Sequence, residues 1–378
     1  MSLAAYHQEQ GTDLIDVGSA RVPAHFGDVR AEYDAAAEGV GLHDRSYRSL
    51  IEITGGDRAA WLHNLTTNDI KSIKPGHGLY AFSLNIKGRV LFDGNVLALP
   101  DALLLDIDRR WIGPAIEHLG KYIVMEDAQL TDRSGDFARL ALVGPRASEV
   151  CERAGSLPSD GGIAQAPDLS GFSRRAGTCG SLTSGEPLHH AEVRIGDVAC
   201  RVVRHDFAGP AALELIVPAS NVLEVWQHLL NIGESIGLRP VGLDALQILR
   251  VEAGLPWPLE DIDADVLPAE TRQIERAVSF TKGCYLGQEI VERMRARGAP
   301  ANLLVGLAFD GEEVCAGASL THDGKSVGRV TSAAQSFKLD RPIGLGYVKS
   351  DFAESDTQLL AVGGDRETTC RTCKIPFD

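Results

Sequence analysis

The 378-residue chain contains no apolar run approaching the roughly 20 residues needed to cross a bilayer, so no membrane-spanning helix is expected. Its opening, Met1 to Gln10, is polar and lacks the basic and apolar blocks of a secretory signal and the arginines of a transit peptide. A cytoplasmic location is therefore expected. Positive charge is also in short supply: 37 Lys and Arg stand against 52 Asp and Glu, for a formal net charge of -15. That balance argues against general nucleic-acid binding, which needs a basic surface to meet phosphates. No GxGxxG motif follows a strand-like run and no βαβ spacing recurs, which argues against a dinucleotide-binding domain. There is no internal repeat.

Cysteine is sparse as well. Seven cysteines, an odd number in a long chain without a signal, suggest reduced thiols and no disulfide framework. Cys151, Cys179, Cys200 and Cys315 are scattered. Cys370-Arg-Thr-Cys373 is a single CxxC pair, readable as a redox pair, half a metal site or an accident of the tail. A closed zinc site needs four ligands, and no second CxxC or suitable histidine pair supplies the others, so no metal is expected. The adjacent His189 and His190 would diverge on a strand or a helix.

What is present is an ordinary globular composition, 44% hydrophobic and 24% charged, in a chain longer than one core usually holds. Two or three domains are expected. A helix is predicted over residues 29 to 41, a strand over Ser49 to Thr54, and a helix capped by Asp57 with Ala59, Trp61, Leu62 and Leu65 inward. Leu79 to Leu84, Arg89 to Leu99 and Ala102 to Ile107 read as an antiparallel meander, and Trp111 to Lys121 as a helix. Phe137 to Val143 and Leu213 to Val217 read as strands. Helices follow around Val222 to Ile232 and over Val241 to Val251. The Gly- and Ser-rich stretch from Ser156 to Ser184 reads as a long loop or insertion. After Gly298-Ala-Pro300, short strands punctuated by glycine at intervals of about ten residues indicate a small all-β domain.

The densest chemistry lies in Lys282-Gly283-Cys284-Tyr285-Leu286-Gly287-Gln288-Glu289. From Gln288 the chain reads as a helix, with Ile290, Val291 and Met294 on one face, a Glu289/Arg293 pair at i,i+4 and Gly298 as its stop. Cys284 then sits just before a helix N-terminus and beside a lysine. The helix dipole and the Lys282 ammonium would both favour thiolate over thiol. The competing reading is a cysteine packed as a small apolar group, but Gly283, Gly287 and a lysine suit an exposed turn better than a core. Lys282, Arg293, Arg295 and Arg297 form a basic patch that would attract an anionic ligand such as a polyglutamate tail, or simply coat a solvated helix face.

The octet resembles the signature of the YgfZ-type folate-binding proteins, which sustain iron-sulfur enzymes and share the fold of the aminomethyltransferase (T-protein) of glycine cleavage. Gly39 to Leu42, Ile53 to Asp57, Trp61 to Asp69, Gly76 to Asp93, Arg250 to Leu255, Leu267 to Glu270 and Ala277 to Gly306 resemble landmarks of the same fold in the same order. The resemblance implies an α+β, three-lobed, aminomethyltransferase-like (GcvT-like) folate-binding fold with a small C-terminal β-barrel. Residues 1–300 would form a core of two interleaved α+β subdomains and residues 301–378 the barrel. It further implies tetrahydrofolate as cofactor and iron-sulfur client or assembly proteins as partners. A monomer is expected.

A flat pterin needs apolar walls, its N–H groups want a carboxylate, and a glutamyl tail wants Arg or Lys. Tyr80 matches a family position near the ligand, and Arg250 is carried over as a folate contact; unaided, Arg250 would read as a helix-surface arginine or as the partner of Glu252 or Glu270. Glu270 joins the candidate ligand residues. Two departures stand out. An Asp-Asp pair of the aminomethyltransferases is reduced to Phe92-Asp93, leaving Asp93 to orient the folate amine or act as a weak base. In Arg204-His-Asp-Phe-Ala-Gly209-Pro210, proline replaces the glutamate that holds the pterin; Glu214, four residues on and on the same face of an extended strand, is the candidate substitute.

Three functions are therefore in play. The first is a folate-binding accessory factor for iron-sulfur assembly or repair through Cys284, with Lys282, Gly283, Tyr285, Gly287, Gln288 and Glu289 shaping its loop. The second is a transferase that moves an aminomethyl or methyl group to tetrahydrofolate. The third is a non-catalytic docking module.

Overall fold

The computed structural model describes residues 2–156, 186–298, 300–311, 316–364 and 366–377. Apart from Ser156, the predicted loop from Ser156 to Ser184 lies outside the described residues, as do Cys179 and Cys315. The chain forms two compact units, each assembled from separated segments.

The first unit comprises residues 1–63, 69–80 and 94–246. A seven-stranded sheet runs, in spatial order, Gly155–Ser156, His190–Ile195, Val198–Arg204, Ala212–Pro218, Phe137–Val143, Gly41–Asp44 and Arg239–Pro240. The pairing is antiparallel except at the last strand, where Arg239 and Pro240 run parallel beside Gly41 and Leu42. Helix Val222–Gly233 exists because Val222, Val225, Trp226 and Leu229 recur at i, i+3, i+4 and i+7. That stripe joins Leu140, Leu142, Leu213, Leu215 and the Val150/Cys151 face of helix Ala147–Ala154 in one core. A five-stranded sheet runs Gly78–Leu84, Val90–Ala98, Leu103–Asp108, Arg48–Thr54 and Gln129–Asp132, the predicted meander with two further strands. Residues 81–93, with the hairpin turn of the first two strands, are assigned to the second unit.

The second unit comprises residues 64–68, 81–93 and 247–378. Its C-terminal part is a closed barrel of Asn302–Phe309, Arg341–Lys349, Lys325–Ser336, Ser319–His322, Gln358–Gly363 and Arg366–Cys373. Val305, Leu307, Phe309, Val330, Val348, Leu359 and Cys370 fill it. Closure leaves no strand edge open, which is how so small a sheet avoids edge pairing. Helix Gln288–Arg297 ends where predicted: Gly298 adopts φ +88°, and its N–H donates to the Met294 carbonyl at 3.2 Å. Among the described residues, no helix is long and apolar enough to cross a membrane.

Candidate functional site

The octet forms a loop fixed at both ends with its middle in solvent. Residues 64–68 run as a strap beside it in the second unit. Leu286 N–H donates to the Asn64 carbonyl and Ser279 N–H to the Thr67 carbonyl, both at 3.0 Å. Thr67 Oγ1 donates to the Ala277 carbonyl at 2.6 Å, and Asn68 Nδ2 donates to the Arg276 carbonyl at 2.9 Å. On its other side the strap is held by Thr67 N–H to the Phe82 carbonyl and Phe82 N–H to Thr67 Oγ1, each 2.9 Å.

The Lys282 ammonium donates to the Thr66 carbonyl at 2.6 Å and the Asn68 carbonyl at 2.9 Å, and sits 4.9 Å from the centre of the Tyr285 ring. Tyr285 is buried, and burial pushes its phenol up to about 12, with a smaller push from Glu292. Gln288 Oε1 accepts the Tyr285 N–H at 3.0 Å, closing the loop onto the first helical turn. Gly287 holds φ +82°, and a Cβ there would lie 2.6 Å from the Asn85 carbonyl oxygen, so only glycine fits. Glu289 pairs with Arg293 at 2.6 Å, as the i,i+4 spacing predicts. Between the anchors, Gly283 has open space around it, and Cys284 is a free, exposed cysteine. Of the predicted basic patch, Arg293 is thus paired, Arg295 lies over the Phe280 ring at 4.3 Å and Lys282 is turned to the strap.

Arg250 is placed differently from the expectation that Glu252 or Glu270 would pair with it. It is 1% exposed, and its Nη1 donates to Asp261 Oδ2 at 2.5 Å and to the Leu255 carbonyl at 3.2 Å. Nε donates to Gln247 Oε1 at 2.7 Å, Nη2 donates to Ser332 Oγ at 2.7 Å, and the guanidinium lies 5.0 Å from the Trp257 ring centre. Glu252 instead accepts from Ser336 Oγ at 2.5 Å. Glu270 accepts the Leu267 N–H and the Asn302 Nδ2, each at 2.9 Å. Asp93 is a buried carboxylate near the start of strand Val90–Ala98, beside buried Phe92. Asp93, Arg250, Glu270 and Cys284 thus belong to the second unit, whereas Tyr80 and Glu214 belong to the first.

Tyr80 is buried on strand Gly78–Leu84. Glu214 anchors a buried charge network. Its carboxylate is shared by Arg45, Arg139 and His205. Arg139 continues to Asp106 at 3.0 Å, which also takes Arg48 at 3.2 Å and the Asn95 amide at 3.0 Å. Burial alone would raise the Glu214 carboxyl, but Arg45, Arg139 and His205 outweigh it and hold it well below the usual range. Asp106 is lowered in the same way, burial being opposed by Arg139 and Arg48. The register therefore does turn Glu214 inward, into an ionic network that sequence reasoning missed. One signal was available: Arg139 interrupts the apolar run Phe137–Val143, and a buried arginine demands carboxylates. Nothing in the sequence pointed to Asp261.

The CxxC pair lies on strand Arg366–Cys373, where residues three apart face opposite sides. Cys370 points into the barrel core, and burial drives its thiol up to about 12; Cys373 is partly exposed. Both are free thiols. His189 stacks on His77 at 4.8 Å, while the buried His190 is pushed down to about 3, chiefly by burial and then by Arg201. No group of three or more potential metal ligands occurs among the described residues.

Two family models match the chain. One, described as the GCVT N-terminal domain, covers residues 3–160 and 181–282; the other, the glycine cleavage T-protein C-terminal barrel domain, covers residues 303–378. The chain is 28% identical to an aminomethyltransferase of Desulfitobacterium hafniense (strain Y51), over 92% of this chain and 89% of the relative. It is 26% identical to an aminomethyltransferase of Chloroherpeton thalassium, over 98% and 96%. A crystal structure of the glycine cleavage system aminomethyltransferase T from Bartonella henselae superposes with a TM-score of 0.85 at 22% identity, covering 100% of this chain and 97% of that one.

Proposed function

The chain belongs to the glycine cleavage T-protein family, and on that premise we propose that it binds tetrahydrofolate and moves an aminomethyl-class one-carbon unit onto it. The observation that carries this reading is collinearity: the similarity to proteins named aminomethyltransferase runs through both units and the barrel, with 92–98% of the chain aligned.

The residues present suit such a ligand. Asp93 supplies a carboxylate removed from bulk water, where a charge interacts with a cationic amine far more strongly than it would in solvent. Tetrahydrofolate, when bound, supplies the nitrogen that accepts the one-carbon unit. Asp93 orients that nitrogen, takes its proton at the carboxylate and passes it to the donor's departing amine, which leaves as ammonia. Arg250 and Glu214 serve as structural charges, each held by protein partners within its own unit. With Pro210 in place of a pterin-holding carboxylate, the ligand takes an altered pose. Formation of methylenetetrahydrofolate by the purified protein from an aminomethyl donor, with Asp93→Asn as control, tests the reading. Turnover lost in the variant supports it, and equal turnover in both proteins removes Asp93 from the chemistry.

A second reading is favoured by one observation, the exposed Cys284 thiol on a loop held through Lys282 and Tyr285. In it, the protein is a folate-binding accessory to iron-sulfur enzymes and the thiol is its working group. Iron-sulfur enzyme activity in cells lacking the gene, rescued by wild type but not by Cys284→Ser, would support it; rescue by both would sink it.

A further inference from the structure

We propose that Lys282 is a positioning residue for Cys284, a cationic staple that fastens the thiol-bearing loop to the strap of residues 64–68, and that it acts by geometry and not by lending its charge to the sulfur. The role of the thiol itself rests on the second reading above; the staple does not.

The Lys282 ammonium donates to two backbone carbonyls, Thr66 at 2.6 Å and Asn68 at 2.9 Å, and lies 4.9 Å from the centre of the Tyr285 ring. Two carbonyl dipoles and one ring quadrupole form a cage for a compact cation, each contributing attraction that is stronger for being half-buried. The cage ties the octet to the strap. Thr66 pairs across an isolated antiparallel bridge with Ser83, so the staple reaches the hairpin of residues 81–93 as well.

Residues 279 and 286 are already fastened to Thr67 and Asn64 by main-chain hydrogen bonds. Between them, Lys282 and Tyr285 fix the crown of the loop, and a Cβ at Gly283 would meet open space. Glycine beside an exposed cysteine would normally give a mobile, multiply oriented thiol, because glycine loses the most conformational freedom when ordered. Lys282 on one side and the Tyr285 N–H held by Gln288 on the other pin the two residues flanking Gly283-Cys284. The thiol is thereby displayed in a narrow range of positions. An arginine cannot replace the lysine, because a planar fork does not fit a cage built for a point donor.

The test uses the full chain with Cys179, Cys315 and Cys373 replaced by serine, so that Cys284 is the reactive thiol. Lys282→Met and Lys282→Arg are compared with the parent in two measurements. Backbone amide hydrogen exchange over residues 282–286 is expected to quicken tenfold or more in both variants. Alkylation by iodoacetamide at pH about 9.5, where an ordinary thiol is mostly ionised and a charge effect on ionisation has faded, is expected to differ at least threefold from the parent in both. Should Lys282→Met fail to fold, Tyr285→Leu removes the ring while keeping both carbonyl bonds, and a smaller rise in exchange confined to the same residues is expected. If Lys282→Arg exchanges like the parent while Lys282→Met slows alkylation only near neutral pH, Lys282 works by charge and the proposal is overturned. None of these readouts involves a client enzyme, so failure of the iron-sulfur reading would leave them unchanged.

Discussion

Arg250 and Asp261 form a buried ion pair within the second unit, Nη1 to Oδ2 at 2.5 Å, with Ser332 Oγ donating to Asp261 at 2.7 Å and accepting from Arg250 at 2.7 Å. Neither side chain is more than 2% exposed. Helix Leu243–Glu252 is thereby locked to barrel strand Lys325–Ser336 by a fully hydrogen-bonded charge pair.

That lock predicts an asymmetry. Asp261→Ala strands a buried guanidinium and is expected to cost about 3–5 kcal/mol of stability, whereas replacing both partners with apolar residues of similar volume costs much less. Urea unfolding of Asp261→Ala, Arg250→Met and the Arg250→Met/Asp261→Leu double variant checks this through a coupling energy of opposite sign to the single losses. Additive losses would mean that the pair does not act as a unit.

The first unit should lose stability in acid in two stages. His43 sits between the Val241 carbonyl, 2.9 Å from Nδ1, and the Tyr47 hydroxyl, 3.2 Å from Nε2. Burial pushes it down to about 4, against the pull of its Val241 hydrogen bond. A folded-state pKa below the unfolded value of ~6.5 means that the unfolded chain binds the proton first. Its contribution is complete above pH ~6.5 and is lost as pH falls toward about 4. Glu214 and Asp106, held low by their arginines, add a second loss below the unfolded carboxylate range of ~4. Urea midpoints from pH 7.5 to 3.5 should fall through both windows, and His43→Asn should lessen the fall only in the upper one, to which the buried His190 also contributes.

Gly287→Ala places a Cβ 2.6 Å from the Asn85 carbonyl oxygen at φ +82°. A loss of about 1–3 kcal/mol is expected, from left-handed strain together with the clash. Gly283→Ala, in open space, should change stability by less than about 0.5 kcal/mol. Thermal unfolding of the two variants side by side decides the point.

The two cysteines of the CxxC pair should behave as unrelated residues. Cys370→Ser puts a hydroxyl into the barrel core and is expected to cost about 1–3 kcal/mol, while Cys373→Ser is nearly silent. Equal effects, or a disulfide that forms readily between them in the native protein, would contradict the opposite-face placement.

The elements that the sequence made legible are those governed by neighbours in the chain. Helix Gln288–Arg297 was readable from its apolar face, its Glu289/Arg293 spacing and Gly298, and the barrel from short strands at regular intervals. What stayed hidden depends on partners far away in sequence. Lys282 lies 216 residues from Thr66, and Glu214 lies 75 residues from Arg139, so no local pattern could announce either contact. Arg250 is a different case: its partner Asp261 lies only 11 residues on, nearer than Glu270, but across a turn whose path local patterning does not define. The octet marked an exposed cysteine beside a lysine, but adjacency in sequence gave no hint that the Lys282 ammonium also reaches the Thr66 and Asn68 carbonyls.

The claim common to both functional readings is that this chain binds tetrahydrofolate, and calorimetric titration of the purified protein with tetrahydrofolate under anaerobic conditions tests it most directly. One-to-one binding, weakened at least tenfold by Asp93→Ala in a variant that still unfolds cooperatively, is the predicted result. Absence of binding at millimolar ligand, or binding indifferent to Asp93, would contradict the account.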